Sequence, residues 1–244
     1  MRKILDLSPN YSKKSRSKSE IKFVIIHYTG MQSEIESLSK LKNNKSNVSC
    51  HYLIGRKGNV IQLVKDRKIA WHAGKSRWKE FRNLNRNSIG IELVNKGHNF
   101  GYEKFSLKQI KSLKLLCRKI KKKYKIPENN FLGHSDIAPL RKIDPGEKFP
   151  WKNLSKIKIG SWYFFKKRDF LEISNISKLN QRRLFFKNLH KIGYRYFSQN
   201  KKGKKDNLVI KAFQRRYLPN KVTGEIDKKT LKISLLFAKK YNLS

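Results

Sequence analysis

Three residues in this sequence combine a type that binds catalytic zinc with an informative position. His27 follows the apolar run IKFVII (21–26), so its ring can project from the end of a buried strand. His134 ends the short segment FLGH, and Asp144 follows ten residues later, just before a Pro-Gly pair. Catalytic zinc takes three protein ligands, and neutral imidazoles with a carboxylate suit it. Taken singly, each has a simpler reading, because such a histidine is more often structural and Asp before Pro-Gly is usually a turn residue.

Two further residues have the chemistry of a hydrolytic site. In SIGIELV (88–94), Glu92 shares one strand face with Gly90 and Val94. A carboxylate among apolar neighbours has a raised pKa and can act as a general base, although an exposed strand face is the alternative. Lys142 can supply positive charge to a developing oxyanion. In a chain with 59 basic residues, however, a single lysine is usually a solvated one.

The elements that must position these residues are strands and helices mixed along the first 155 residues. Strands are predicted at 21–26, 88–94 and 131–134, a hairpin over 51–64, a helix over 33–43 and a long loop over 70–87. The clearest helix, 106–124, begins with a Ser106–Gln109 capping box. The apolar sides of the two helices are predicted to be Ile35, Leu38, Leu41 and Leu107, Ile110, Leu113, Cys117, Ile120, Tyr124. We therefore predict an α/β domain over 1–155, with a mixed central β-sheet flanked by helices.

A second, smaller unit follows. Residues 156–176 are predicted to be a linker, although the apolar stretch SWYFF (161–165) argues against a free one. Residues 177–244 predict a small three-helix bundle, with helices over 179–190, over 206–217 and after Asp227. At this size a bundle is near the lower limit of independent stability.

The charge is the most unusual feature of the composition. In 244 residues, 59 Lys+Arg against 17 Asp+Glu give a net charge of +42. Such a chain is attracted to polyanions, either nucleic acid or acidic cell-wall polymer, but the charge is spread over the whole length. No nucleic-acid motif is present, so we expect no specific nucleic-acid partner. No run of about 18 apolar residues is present, which predicts no membrane span. The N-terminus lacks the pattern of a secretory signal peptide, which favours the cytoplasm.

Several blocks in order resemble one family. They are HYTG from His27, SCHYLI (49–54), AWHAG (70–74), SIGIEL (88–93) and GHSDIAP…K-x-DPG…FPW (133–151). They resemble the zinc-dependent N-acetylmuramoyl-L-alanine amidases of the type-2 amidase and peptidoglycan-recognition superfamily, in the AmpD- and AmiD-like bacterial branch. The later segments LHKIGY (189–194) and VIKAFQRRYLPNKVTGEIDKKTL (209–231) resemble a small peptidoglycan-binding domain.

The resemblance implies a set of roles. His27, His134 and Asp144 become the Zn²⁺ ligands, Glu92 the catalytic acid/base, and Lys142 the residue that stabilises the oxyanion. Trp71, His72, Ala73 and Gly74 are placed on the wall of the substrate groove, with a supporting or structural role as the alternative for His72. The implied reaction is hydrolysis of the amide between N-acetylmuramic acid and L-alanine, in peptidoglycan or in anhydro-muropeptides. A non-catalytic peptidoglycan receptor is the alternative function.

The resemblance and the N-terminus point to different locations. A wall-binding domain suggests intact sacculi in the periplasm, whereas the absence of a signal pattern favours the cytoplasm and recycled fragments. We expect a cytoplasmic monomer, with a periplasmic protein as the alternative.

Overall fold

A six-stranded sheet forms the centre of the molecule. The computed structural model describes residues 3–164 and 177–241. The strands are β1 (Lys3–Leu5), β2 (Tyr11–Ser15), β3 (Phe23–Tyr28), β4 (Tyr52–Ile54), β5 (Val60–Gln62), β6 (Lys68–Ala70), β7 (Arg77–Trp78), β8 (Phe81–Arg82), β9 (Ser88–Leu93) and β10 (Phe131–Gly133). The central sheet has the order β1-β5-β4-β9-β3-β10, and its pairs are parallel except β4–β5. Strands β2–β6 and β7–β8 form two separate antiparallel pairs.

Helices flank this sheet on both sides, so the predicted α/β class is confirmed. They are α1 (Glu34–Lys42), α2 (Leu107–Tyr124), α3 (His134–Ile137), α4 (Trp151–Ser155), α5 (Lys178–Ile192), α6 (Asp206–Tyr217) and α7 (Lys228–Tyr241). The predicted capping box of α2 is present: Ser106 Oγ accepts from the Gln109 amide, and Gln109 Oε1 accepts from the Ser106 amide. Among the described residues, none of the helices combines the length and apolar character needed to cross a membrane.

The two faces of β3 pack against different parts of the chain. Because side chains alternate along a strand, Val24 and Ile26 lie in one core, with Leu113 and Ile120 of α2. The opposite face carries Phe23 and Ile25, which lie in a second core. His27 continues that second face toward the carboxyl end of the strand. The second core therefore leads directly to the candidate site.

The C-terminal helices complete this second core. Phe185 and Leu189 of α5 and Phe213 of α6 belong to the same buried cluster as Ile25 of β3 and Leu132 of β10. Without α5 to α7, this apolar face of the sheet would meet water, which is unfavourable. The bundle is thus packed on the sheet by a continuous apolar core, in addition to being joined to it in sequence.

The predicted linker, 156–176, begins with a packed segment. Ile159 and Ser161 are buried, and Trp162 packs on both cores. This agrees with the apolar character of SWYFF, whereas residues 165–176 lie outside the described residues. The boundaries 1–155 and 177–244 stay predictions.

Three sequence predictions differ from the structure. Ile35 and Leu107, predicted on apolar helix faces, are 81% and 89% exposed. Both lie in the first turn of a helix, where the periodic face has not yet reached the sheet. The predicted loop over 70–87 contains the two-residue strands β7 and β8, which are too short for any periodic signal.

Candidate metal centre and active site

Three donor atoms from distant parts of the sequence meet at one point. His27 lies in β3, His134 begins α3, and Asp144 lies in the loop before α4. His27 Nδ1 and His134 Nδ1 are 3.0 Å apart, and each lies 3.1 Å from Asp144 Oδ2. All three side chains are buried. In the described residues, this is the group of three His, Cys or carboxylate side chains that has the geometry of a metal site.

The proton on His27 can be assigned from its neighbours. Ser88 Oγ donates to the Leu84 carbonyl at 2.6 Å, so it is free to accept from His72 Nε2 at 3.3 Å. With its proton on Nε2, His72 accepts through Nδ1 from His27 Nε2 at 3.1 Å. The Nδ1 atom of His27 is then unprotonated, and its lone pair points at His134 and Asp144. This assignment makes His72 an orienting partner of His27.

His134 is oriented in the same way. Its Nε2 lies 3.1 Å from the carbonyl oxygen of Ala73, which can only accept, so the proton is on Nε2. In a neutral His134 the lone pair is then on Nδ1. Asp144 is held beside it, because the Ser135 amide donates to the Asp144 carbonyl at 2.9 Å. Tyr102 fixes the next residue by donating to the Pro145 carbonyl at 2.7 Å.

Two lone pairs and a carboxylate with no proton between them suit a cation. A tetrahedral zinc bound at about 2.0–2.1 Å separates its ligand atoms by about 3.3 Å, close to the 3.0–3.1 Å found here. Burial and the nearby His134 lower the pKa of His27 to about 4, so it is neutral at pH 7. Burial raises the pKa of Asp144, but His134 and His27 outweigh it and hold that pKa well below its usual range. A neutral His27 and an ionised Asp144 are the forms that zinc requires.

Glu92 lies beside the metal group on the neighbouring strand. It is the direct partner of His27 in the parallel β3–β9 register, so the two side chains share one face. Its Oε2 is buried and has no hydrogen-bond partner among the described residues. Burial raises the pKa of Glu92 well above its ordinary value, and Asp144 adds to this, whereas Lys142 opposes it. An unpaired carboxylate at the edge of a cavity is available to a ligand.

A cavity of about 500 Å³ opens over these groups. Its walls include the metal group, Glu92, Lys142 and two of the four predicted groove residues, Trp71 and His72. Ala73 and Gly74 do not line this cavity. Ala73 is instead buried, with its carbonyl on His134 and Arg141, and Gly74 is exposed.

Sequence reasoning missed several residues of the site. Arg141 and Tyr28 line the cavity, and Tyr28 Oη lies 2.9 Å from His98 Nδ1. His98, which lies at the surface, also reaches Glu147 Oε2 at 3.2 Å. Adjacency was the available signal for two of them, because Tyr28 follows His27 and Arg141 precedes Lys142. No pattern in the sequence links His98 to Glu147.

Comparison with known proteins places the chain in a family. Residues 17–147 match the Amidase_2 family, described as N-acetylmuramoyl-L-alanine amidase. The amidase AmiD of Escherichia coli K12 is 33% identical over 241 residues, covering 91% of this chain and 83% of AmiD. The chain belongs to the N-acetylmuramoyl-L-alanine amidase family. The predicted enzyme class and peptidoglycan amidase function are thereby confirmed.

Solved amidase structures share the whole fold, including the C-terminal helices. A complex of E. coli AmiD with anhydro-N-acetylmuramic acid-L-Ala-D-γ-Glu-L-Lys has a TM-score of 0.82 at 32% identity, covering 96% of this chain and 94% of that one. AMPDH3 of Pseudomonas aeruginosa, in complex with anhydromuramic pentapeptide, has a TM-score of 0.82 at 30% identity, covering 96% and 97%. In sequence, AmpD of Haemophilus influenzae matches a shorter part of the chain, with 42% identity over 113 residues, which are 46% of this chain and 59% of AmpD.

Proposed function

We propose that this amidase is a zinc enzyme whose metal ligands are His27, His134 and Asp144. The observation that carries the proposal is the convergence of two Nδ1 atoms and one carboxylate oxygen within 3.1 Å of each other. Zinc bound there would supply a Lewis acid for the scissile carbonyl and would lower the pKa of a water molecule. The remaining chemistry belongs to side chains of this chain.

Glu92 is the proposed general base and acid. It takes a proton from the water as the water oxygen bonds to the lactyl carbonyl carbon. It then gives that proton to the L-alanine nitrogen as the carbon–nitrogen bond breaks. The buried, unpaired Oε2 supports this role, and the raised pKa makes the ionised carboxylate a stronger proton acceptor.

Lys142 is the proposed partner of the developing negative charge on the carbonyl oxygen. It lines the cavity, and its charge is close enough to act on both His27 and Glu92. A fixed positive charge at a site partly shielded from water favours the oxyanion more than the neutral carbonyl.

The substrate is proposed to be a muramoyl peptide, either in intact peptidoglycan or as a soluble anhydro-muropeptide. AmiD and AMPDH3 bind anhydromuramoyl peptides, which supports the second form. A wall-binding role for residues 177–244, the cytoplasmic location and the monomeric state all stay predictions. Sedimentation of the full chain with purified sacculi tests the wall-binding role.

The first experiment compares the wild-type enzyme with Glu92→Gln and His27→Ala. Each is incubated separately with sacculi and with an anhydromuramoyl peptide, with a chelator-treated control, and products are identified by mass spectrometry. We expect Glu92→Gln to lose about 10²–10⁴-fold in turnover with zinc content unchanged. His27→Ala should lose zinc and activity together. A Glu92→Gln enzyme with wild-type turnover would contradict the proposed role.

A further inference from the structure

The carboxylate of Asp136 lies two residues after His134 and joins three parts of the chain. Its Oδ2 accepts from the Gly133 amide at 2.8 Å, which closes the turn that leads into α3. The same oxygen accepts from Arg216 Nη1 of α6, and Oδ1 accepts from Tyr194 Oη at 2.6 Å. The side chains of Asp136 and Arg216 are 1% and 3% exposed, and Tyr194 is fully buried. A buried charge pair with so many hydrogen bonds fixes the geometry of its surroundings.

Two further contacts hold Arg216 in this orientation. Its Nη2 donates to the Phe131 carbonyl at 2.9 Å, and its guanidinium lies 4.0 Å from the centre of the Trp151 ring. The planar guanidinium therefore connects β10, α3 and α4 at once. A lysine cannot reproduce this, because an ammonium has neither the fork of donors nor the flat face.

The position that this network fixes is that of two metal ligands. His134 lies between Gly133 and Asp136, the two ends of the turn that Asp136 closes. Within this turn, the Ser135 amide donates to the Asp144 carbonyl at 2.9 Å. The backbone of Asp144 is therefore tied to the turn that carries His134. Pro145, next to Asp144, packs on Gly133 so closely that a Cβ there would lie 2.7 Å from its ring.

Arg215, the residue before Arg216 in α6, acts electrostatically on the loop that follows Asp144. The charge of Arg215 influences Glu147, three residues after Asp144, and also Tyr28 and Tyr102. The positive charge of α6 therefore acts on the loop after Asp144 as well as on Asp136.

We propose that Arg216 and Tyr194 are positioning residues for the metal ligands His134 and Asp144, acting through Asp136. The bundle formed by α5 to α7 is then part of the support of the active site, whatever its affinity for cell wall. This inference rests on the proposed zinc site, because it concerns how firmly two of the three ligands are held.

The test uses full-length Arg216→Lys and Tyr194→Phe. The matched control is Arg182→Lys, since Arg182 makes a two-point bond to Asp206, at 3.0 and 2.6 Å, inside the bundle and not with α3. Zinc dissociation constants are measured by competition with a chelator. The visible spectrum of the Co²⁺ form, kcat, KM and the thermal midpoint are measured on the same proteins.

We expect Arg216→Lys to raise the zinc dissociation constant by about 10–100-fold, to change the Co²⁺ spectrum and to lower kcat with KM little changed. Tyr194→Phe should do the same to a smaller extent, and it keeps the inference testable if Arg216→Lys does not fold. Arg182→Lys should lower only the thermal midpoint. Wild-type zinc affinity and spectrum in both test variants would overturn the inference. A wild-type enzyme that binds no zinc would instead overturn the zinc site itself, and this inference with it.

Discussion

The two histidines of the metal group are held by different means. His27 lies inside the regular ladder of β3, and its orienting chain through His72 and Ser88 ends within the same α/β region. His134 lies at the start of a four-residue helix, and the side chains that secure that helix come from α6 and from the loop between α5 and α6. Identical donor atoms therefore depend on different parts of the molecule. A regular strand needs little help to aim a side chain, whereas a single helical turn needs tertiary contacts.

The strongest way to disturb the His27 side is Gly90→Ala. A Cβ at this position would lie 2.4 Å from Cγ of His72, so the ring must shift from the position in which it bonds His27. We expect the free energy of unfolding to fall by about 1–3 kcal/mol, as for an overpacked core. Zinc affinity should fall by about 10–100-fold, because His27 loses its orienting partner. Chelator competition and thermal unfolding measure the two effects.

The double variant Gly90→Ala/His72→Ala separates crowding from orientation. It should recover part of the lost stability and none of the lost zinc affinity. Recovery of both would show that His72 does not orient His27.

A milder change, Tyr102→Phe, acts on the His134 and Asp144 side. It removes the hydroxyl that donates to the Pro145 carbonyl and accepts from the Lys148 amide at 3.0 Å. We expect a loss of about 1 kcal/mol in unfolding free energy and a several-fold weaker zinc site. Tyr11→Phe, in the separate β2–β6 pair, is the control and should leave zinc binding unchanged. Equal zinc affinity in the two variants would remove Tyr102 from the support of Asp144.

The smallest effect on the site is expected from Asp66→Asn. This variant tests whether a loss of overall stability alone, with the contacts around His27 and His134 intact, changes zinc affinity. Asp66 accepts from Tyr52, Tyr124 and Lys123 at 2.5, 2.6 and 2.9 Å. Burial raises its pKa, but these three partners outweigh it, and the net pKa lies below its usual value. A lowered pKa means that the unfolded chain binds the proton more readily, so the stabilisation is present at pH 7 and is lost on acidification.

The measurement is the unfolding free energy of wild type minus that of Asp66→Asn across pH 7 to 3. It should be about 1–3 kcal/mol at pH 7 and should shrink as the pH falls below about 4, with zinc affinity at pH 7 unaltered. A difference that grows with acid would mean that the sign of the pKa shift is wrong.

The sequence predicted the strands and helices far better than the side-chain contacts that hold the site residues in place. The strand before His27 is an unbroken apolar run, the helix over 107–124 has clear periodicity and a capping box, and both elements are present. From the residues alone, His134 and Asp144 carried only weak signals, and the resemblance to a family brought them together. The bond between Arg216 and Asp136 joins residues 80 positions apart, and no local pattern marks either of them. Ile35 and Leu107 were predicted to be buried and are exposed, because helical spacing identifies the apolar face of a helix but not where the sheet beneath it ends.

The distance in sequence between Asp136 and Arg216 also orders the events of synthesis. The ribosome completes all three ligand residues by position 144, while the arginine that secures the middle one emerges 72 positions later. Until then Asp136 lacks its ion pair with Arg216, and the C-terminal helices cannot yet complete the apolar core on β3 and β10. The nascent chain therefore contains the three proposed metal ligands well before it contains the arginine proposed to position one of them. A break between Asp144 and α6 yields a polypeptide that has the three proposed ligands but lacks Arg216.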